Sequence, residues 1–310
     1  MANYAVFDIG GTAIKCAVTD GGGCFREKER LVNPARTEGV GAMIALLVHR
    51  LRDYGTAYPL TGIGVATAGV VDAATGTIAC DAMNIPDYRG TRLKAILSEA
   101  AGLPVAVEND VNCAALGEYW LGAGQGASSL AMLTLGAGVG GALLMDGRIL
   151  RGALGFAGEI GYLPLPGENL EALASTTALV RRVATAKGLP EEAVDGEMVF
   201  AWAKTGDEIA RGAISRMTEA LAAGIAAVCC VANPAVVIIG GGISAEAAYL
   251  RPLLLEALGA VLPADIFTGT RFAFARLAND AGLLGALRFL RQCMAGGTAR
   301  GENEGGAAGD

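Results

Sequence analysis

Histidine is nearly missing from this chain: of 310 residues, only His49 is one. A Ser-His-Asp or Cys-His nucleophile, or a histidine-rich metal site, would have to be built on that residue, so those chemistries are set aside. His49 itself lies in a stretch of helical apolar periodicity, 41–54, and reads as a surface or helix-end residue. An excess of positive charge is also lacking. With 24 Lys and Arg against 31 Asp and Glu, the net charge of -7 argues against a polyanion-binding surface and for a small-molecule substrate. Cysteines are present, at 16, 24, 80, 113, 229, 230 and 293, but no pair has Cys-x-x-Cys spacing and their number is odd. They read as free thiols in a reducing compartment. No basic stretch followed by an apolar one opens the chain, so a cytoplasmic location is expected.

What the chain has is apolar residues, 53%, and 46 glycines, enough for two domains with substantial cores. The nearly charge-free stretch 220–243 is long enough to suggest a membrane span. Asn233-Pro234 divides it into an Ala-rich helical part and a β-branched run, Ala235 to Ile239. A buried helix followed by a buried strand accounts for it, and no membrane partner is expected. Strands read over 4–8, 13–19 and 25–31, before the helix holding His49. A strand at 62–66, a turn-rich passage to Asn84-Ile85-Pro86, a helix near 91–101 and a strand at 105–107 follow. This is an α/β layered domain with a mixed sheet. A second strand, Gly-rich turn, strand pattern begins at 130, and Asp146-Gly147 marks a hairpin. Helical periodicity fills 173–187, 207–231 and 281–293; beyond lies a Gly-rich stretch expected to be disordered.

Three glycine clusters end strands. Val6-Phe7-Asp8-Ile9-Gly10-Gly11-Thr12-Ala13-Ile14-Lys15 reads either as an ordinary hairpin turn or as a phosphate-handling one. In the latter, Gly10 and Gly11 admit backbone amides to an anion, Asp8 holds a divalent cation, and Thr12 and Lys15 meet phosphate oxygens. Residues 136–141 fit G-x-G-x-x-G, but that fingerprint must open a helix, whereas this one continues as a hairpin. No Walker A lysine follows any cluster. Gly136 and Gly138 would instead grip phosphates, and Gly240, Gly241 and Gly242 would let a flat base lie against backbone. In Glu108-Asn109-Asp110-Val111-Asn112, Asp110 is either a helix cap or a general base, with Asn109 on a neighbouring hydroxyl. Glu159 and Glu171 suit vicinal sugar hydroxyls, as does the amide of Asn84, although surface acids are usually only solvated.

In this order these residues resemble the ROK family of sugar kinases and repressors over about residues 4–290. Residues 8–15 resemble its first phosphate motif, Asn84-Ile85-Pro86 its sugar segment and residues 107–112 the motif carrying its catalytic aspartate, here Asp110. Residues 135–141 resemble the second phosphate motif, Gly158-Glu159 and Glu171 the sugar-contacting acids, and 239–243 the adenosine motif. The resemblance implies an actin-like ATPase (ribonuclease H-like) fold, two α/β domains with mixed sheets around a central cleft. It divides the chain into 1–117 plus 281–294, 118–280, and a tail at 295–310. It also implies ATP and Mg²⁺ as cofactors, the metal at Asp8, Thr134 in the nucleotide site, Gly69 at the sugar, and a homodimer.

The departures are specific. Zinc-binding members place a histidine after Gly-Glu-x-Gly and then a cysteine loop; here stand Tyr162 and the cysteine-free run Pro164 to Leu170, so zinc is not expected. Tyr162 is then a hydroxyl donor or a packing surface for the sugar. Tyr88 replaces a common Trp, and Ala137 a usual Thr. Gly-Glu-x-Gly-Tyr with Leu173-Ala174-Ser175-Thr176-Thr177 resembles bacterial N-acetylmannosamine kinases and β-glucoside kinases, and 85–91 looks closer to the former. Phosphorylation of a hexose or N-acetylhexosamine, at the 6-hydroxyl, follows as the expected reaction, with glucokinase or β-glucoside kinase the alternative. A sugar-responsive repressor is disfavoured, because such members carry a helix-turn-helix domain ahead of the phosphate motif and bind nucleic acid.

Overall fold

The computed structural model describes residues 2–80 and 85–301. Contacts gather the chain into two units, Met1–Trp120 with Asn279–Asp310, and Leu121–Ala278. The first unit opens on β1 (Asn3–Ile9), whose apolar run is buried on both faces, as a strand covered above and below must be. It turns into β2 (Ala13–Asp20) and β3 (Phe25–Val32). In β3, Arg26 to Arg30 are all charged, which suits its place at the sheet edge. Next come α1 (Ala35–Glu38), α2 (Val40–Ala57), β4 (Leu60–Thr67) and a short hairpin of β5 (Val70–Asp72) and β6 (Thr77–Cys80). Helix α3 (Leu93–Ala101), β7 (Val105–Asn109) and α4 (Asp110–Leu121) follow. The sheet order is β3-β2-β1-β4-β7, with β1, β4 and β7 parallel and β2 and β3 antiparallel.

Met43, Leu47, Leu51 and Tyr54 recur at helical spacing on α2 and pack with Phe7, Ile63 and Leu97 in one core. His49 stands off that stripe, exposed, 3.5 Å from Asp53.

The second unit repeats the opening. A hairpin of β8 (Ser129–Leu135) and β9 (Val139–Met145) continues through Asp146 and Gly147, both at positive φ, into β10 (Arg148–Ile149). Helices α5 (Leu170–Ala174), α6 (Thr176–Lys187), α7 (Gly196–Lys204) and α8 (Glu208–Ala232) precede β11 (Val236–Gly240). Helices α9 (Ala247–Val261) and α10 (Ala264–Gly269) and the strand β12 (Arg271–Phe274) complete it. Its sheet order is β10-β9-β8-β11-β12, with β8, β11 and β12 parallel. Half of the most apolar window of α8 is buried, and β11 lies between β8 and β12, so the span-like stretch is the spine of this core.

Two expected elements differ. The helix expected over 173–187 is broken at Ser175, which leaves the helical path and caps α6 by accepting the Ala178 N–H at 3.1 Å. The final helix, α11 (Ala281–Gly301), returns to the first unit and runs past its expected end at Cys293. It packs closely on β4: a Cβ at Gly64 would stand 2.6 Å from the Ala286 carbonyl oxygen.

Candidate active site

In the first unit the sequence-derived residues gather at the carboxyl ends of β1, β4 and β7, where parallel strands leave their ligand crevice. Asp8 pairs in register with Lys15 across the first hairpin, and the Lys15 ammonium lies 2.8 Å from Asp8 Oδ2. The Asp8 side chain is 12% exposed. Its carboxylate faces the first turn of α11, where Gly282 leaves room: a Cβ there would fall 2.8 Å from Oδ2. A helix start favours negative charge, so α11 and Lys15 both face Asp8 with a complementary potential. The turn closes with Gly10 N–H donating to the Ala13 carbonyl at 3.0 Å, leaving Thr12 exposed.

The turn is braced by Asn33, which sequence reasoning misses. This buried side chain donates from Nδ2 to the Gly10 carbonyl at 2.8 Å and accepts the Ala35 N–H at Oδ1, while its own N–H donates to the Thr12 carbonyl. An Asn just before Pro34 and a helix is the signal that was there to be read.

Asp110 is the first residue of α4, but the cap is Asn109, whose Oδ1 accepts the N–H groups of Val111 and Asn112 at 2.9 and 3.1 Å. Asn109 Nδ2 donates to the Gly69 carbonyl and to Asp110 Oδ1, both at 3.0 Å. The Asn109 amide thus ties the start of α4 to Gly69 and to Asp110. Beneath lies buried Glu108, whose Oε1 accepts the Asn109 N–H and the Asn112 amide. Gly69 enters through its carbonyl, at a φ of 93° that suits glycine. Tyr88 is fully buried with its hydroxyl 2.8 Å from Thr67 Oγ1, and burial pushes the phenol up to about 12, the charge of Asp110 adding to the rise. Asn84 lies outside the described residues.

In the second unit the other two glycine clusters meet. Gly240 pairs in register with Thr134, and a Cβ on Gly241 would strike the Leu135 backbone, with Leu135 N at 2.7 Å. Gly136 to Gly138 forms the adjoining turn, and β9 follows as a strand, which excludes the dinucleotide fingerprint. The turn is held by α5 and α6: Thr176 N–H donates to the Gly136 carbonyl at 2.9 Å, and Glu171 Oε2 accepts the Val139 N–H at 3.0 Å. A Cβ on Gly138 would collide with that carboxylate. Glu171, expected at the sugar, braces the turn at Gly136 to Gly138.

Gly158 and Gly161 press against β9 and fix Glu159 between them. Desolvation of the Glu159 carboxyl, and then the charge of Glu171, raise its pKa above the usual carboxylate range. Tyr162 ends the short 3₁₀ turn Ile160–Tyr162 and is 71% exposed.

The ROK family profile matches residues 4–293. The chain belongs to the ROK family. A protein of unassigned function from Clostridium perfringens is 41% identical over 92% of this chain and 97% of its own length. The glucokinase of Halalkalibacterium halodurans is 33% identical over 93% and 95%, and the β-glucoside kinase of Listeria monocytogenes 32% over 93% and 97%. Among solved structures, a Listeria monocytogenes protein described as a candidate N-acetylmannosamine kinase superposes with a TM-score of 0.83 at 30% identity, covering 94% of this chain and 99% of that one. A ROK glucokinase from Streptomyces griseus, solved with glucose and AMPPNP, gives 0.78 at 29%, covering 94% and 100%. The fold is the actin-like ATPase fold, and the chain is an ATP-dependent carbohydrate kinase of this family.

Proposed function

We propose that this ROK kinase transfers the terminal phosphoryl group of ATP to the 6-hydroxyl of a hexose or N-acetylhexosamine, with N-acetylmannosamine the preferred acceptor. The observation that carries the reading is the fixation of Asp110: one carboxylate oxygen accepts from Asn109 and from the Val111 N–H, and Glu108 holds that cluster from below. A carboxylate so oriented at a strand end can align an acceptor hydroxyl and take its proton as the phosphorus–oxygen bond forms.

The donor set fits a nucleotide and its metal. Two glycine turns present backbone, Lys15 supplies a cation, and Asp8 supplies a carboxyl group near the end of β1. Mg²⁺ carried with ATP would be held at Asp8 and neutralises phosphate charge. The remaining residues position: Thr12 and Lys15 at phosphate oxygens, Gly136, Gly138 and Thr134 at the second turn, Gly240 to Gly242 at the base. Glu159, Tyr162 and the second oxygen of Glu171 take sugar hydroxyls. Preference for N-acetylmannosamine rests on the Gly158 to Tyr162 segment and on 85–91, which resemble those kinases. The free cysteines support a cytoplasmic location, and the family resemblance alone supports a homodimer.

The test is a coupled ADP-release assay with ATP and Mg²⁺ and equal concentrations of N-acetylmannosamine, N-acetylglucosamine, mannose, glucose and cellobiose. The highest kcat/KM is expected on N-acetylmannosamine, with the product phosphorylated at C6. Highest turnover on glucose or cellobiose would reassign the acceptor, and no ADP release with any of them would overturn the reading.

A further inference from the structure

The second unit carries a cavity of about 870 Å³ walled by α5, α6, α8 and the loop before α5. That volume suits a small ligand. Its floor is apolar and small, with Ala172, Ala178, Ala220 and Ala223 among the residues lining it. Its cationic groups are Arg181 and Arg182 on α6 and Arg216 on α8. None of the three forms an ion pair within 4.0 Å among the described residues, although Glu168 and Glu219 share the cavity. Glu219 instead accepts the Ser215 hydroxyl at 2.9 Å.

Arg182 is the inner member. Its Nη2 donates to the Leu173 carbonyl at 3.3 Å, while its Nη1 is buried with no hydrogen-bond partner. Desolvation, then the like charges of Arg216 and Arg181, weaken its hold on its proton. Three guanidinium groups on one cavity outnumber its two carboxylates, of which Glu168 acts on Arg182, so a further anion among them would be held by charge, and a buried unpaired N–H costs its full desolvation. The planar fork of arginine matches phosphate oxygens.

We propose that this cavity binds a phosphate-bearing small anion, with the Arg182 guanidinium as its inner group and Arg181 and Arg216 as its outer ones. The site is separate from the sugar and nucleotide residues, and its binding does not depend on which sugar is phosphorylated. It shares α5 with them. Glu171 on α5 holds the Val139 N–H, while Ala172 and Leu173 line the cavity, so the occupant touches the corner that steadies the second glycine turn.

Thermal-shift titrations with inorganic phosphate and with glucose 6-phosphate, at constant ionic strength in chloride, test this on the full chain without reference to catalysis. The wild type should be stabilised by one or both, and the two arms tell free phosphate from a phosphorylated sugar. Arg216→Gln should weaken the response at least about tenfold, as loss of a charge-assisted pair does, and Glu219→Gln should strengthen it. Should Arg182→Met fail to fold, those two milder variants still decide the matter. Binding that is the same in every variant would assign the phosphate to the nucleotide site and overturn the proposal. So would no response beyond that to chloride, or an Arg216→Gln protein that changes oligomeric state by light scattering with no change in anion binding.

Discussion

At the β1–β2 turn the loop is held by a neutral amide, Asn33, which donates to a loop carbonyl, whereas at the β8–β9 turn the hold is a carboxylate, Glu171, which accepts a loop N–H. The two hairpins share strand order and glycine chemistry, yet their electrostatics are opposite. The amide adds no charge to the first loop, where Lys15 and Asp8 pair with each other at 2.8 Å. The carboxylate sets negative charge beside the second loop and couples it to Glu159, whose pKa it raises. On the proposed reading the first hairpin serves phosphate and metal, and the second ties the nucleotide side to the acids that meet the sugar.

The sharpest way to break this division is Asp110→Asn. It should lower kcat at least about a hundredfold, the scale of general-base loss, while sugar KM and Tm stay near wild type in the coupled assay and a melting curve. Near-normal turnover would remove Asp110 from proton transfer. The two braces come next. Asn33→Ala leaves the Gly10 carbonyl and the Ala35 N–H unmatched at a buried position, a loss of about 1–3 kcal/mol by urea unfolding, with a raised KM for ATP. Glu171→Ala should raise the KM for ATP about tenfold, and Glu171→Gln, which still accepts from Val139, should restore most of it. Equal damage from Ala and Gln would show that the charge, not the hydrogen bond, is what the second turn needs.

The smallest effect concerns Glu159. Its carboxyl binds its proton more tightly folded than unfolded, so stability falls as pH rises from the ordinary carboxylate range through the raised folded value, and stays reduced above it. Glu159→Gln should therefore raise Tm at pH 7.5 and leave it unchanged well below pH 4. A Tm gain that persists undiminished in acid would mean the benefit is packing rather than charge.

The positions of these groups are legible in the sequence, and several of their tasks are not. The turns at Gly10 and Gly136 and the Glu-Asn-Asp cluster are visible because their residues are neighbours in the chain and alternate with buried strands. Asn109 and Asp110 stand where expected, yet which one caps α4 depends on a side-chain rotation that spacing does not encode. Asn33 and Glu171 act on residues 23 and 32 positions away, so their bracing is written only in tertiary structure. The strands β5 and β6, of 3 and 4 residues, are too short for alternation to show, and β12 at the sheet edge carries no motif. Where helix boundaries shifted, as at Ser175, the capping residue was itself in view.

The place of α11 bears on how the protein is made. Its second unit is a continuous stretch of chain, and everything that unit needs has been synthesised by Ala278. The first unit is made mostly before the second but lacks its last helix until the second is made, and Gly282 of that helix lies against Asp8. The hairpin of β1 and β2 thus acquires its finished surroundings only after the whole second unit has been made.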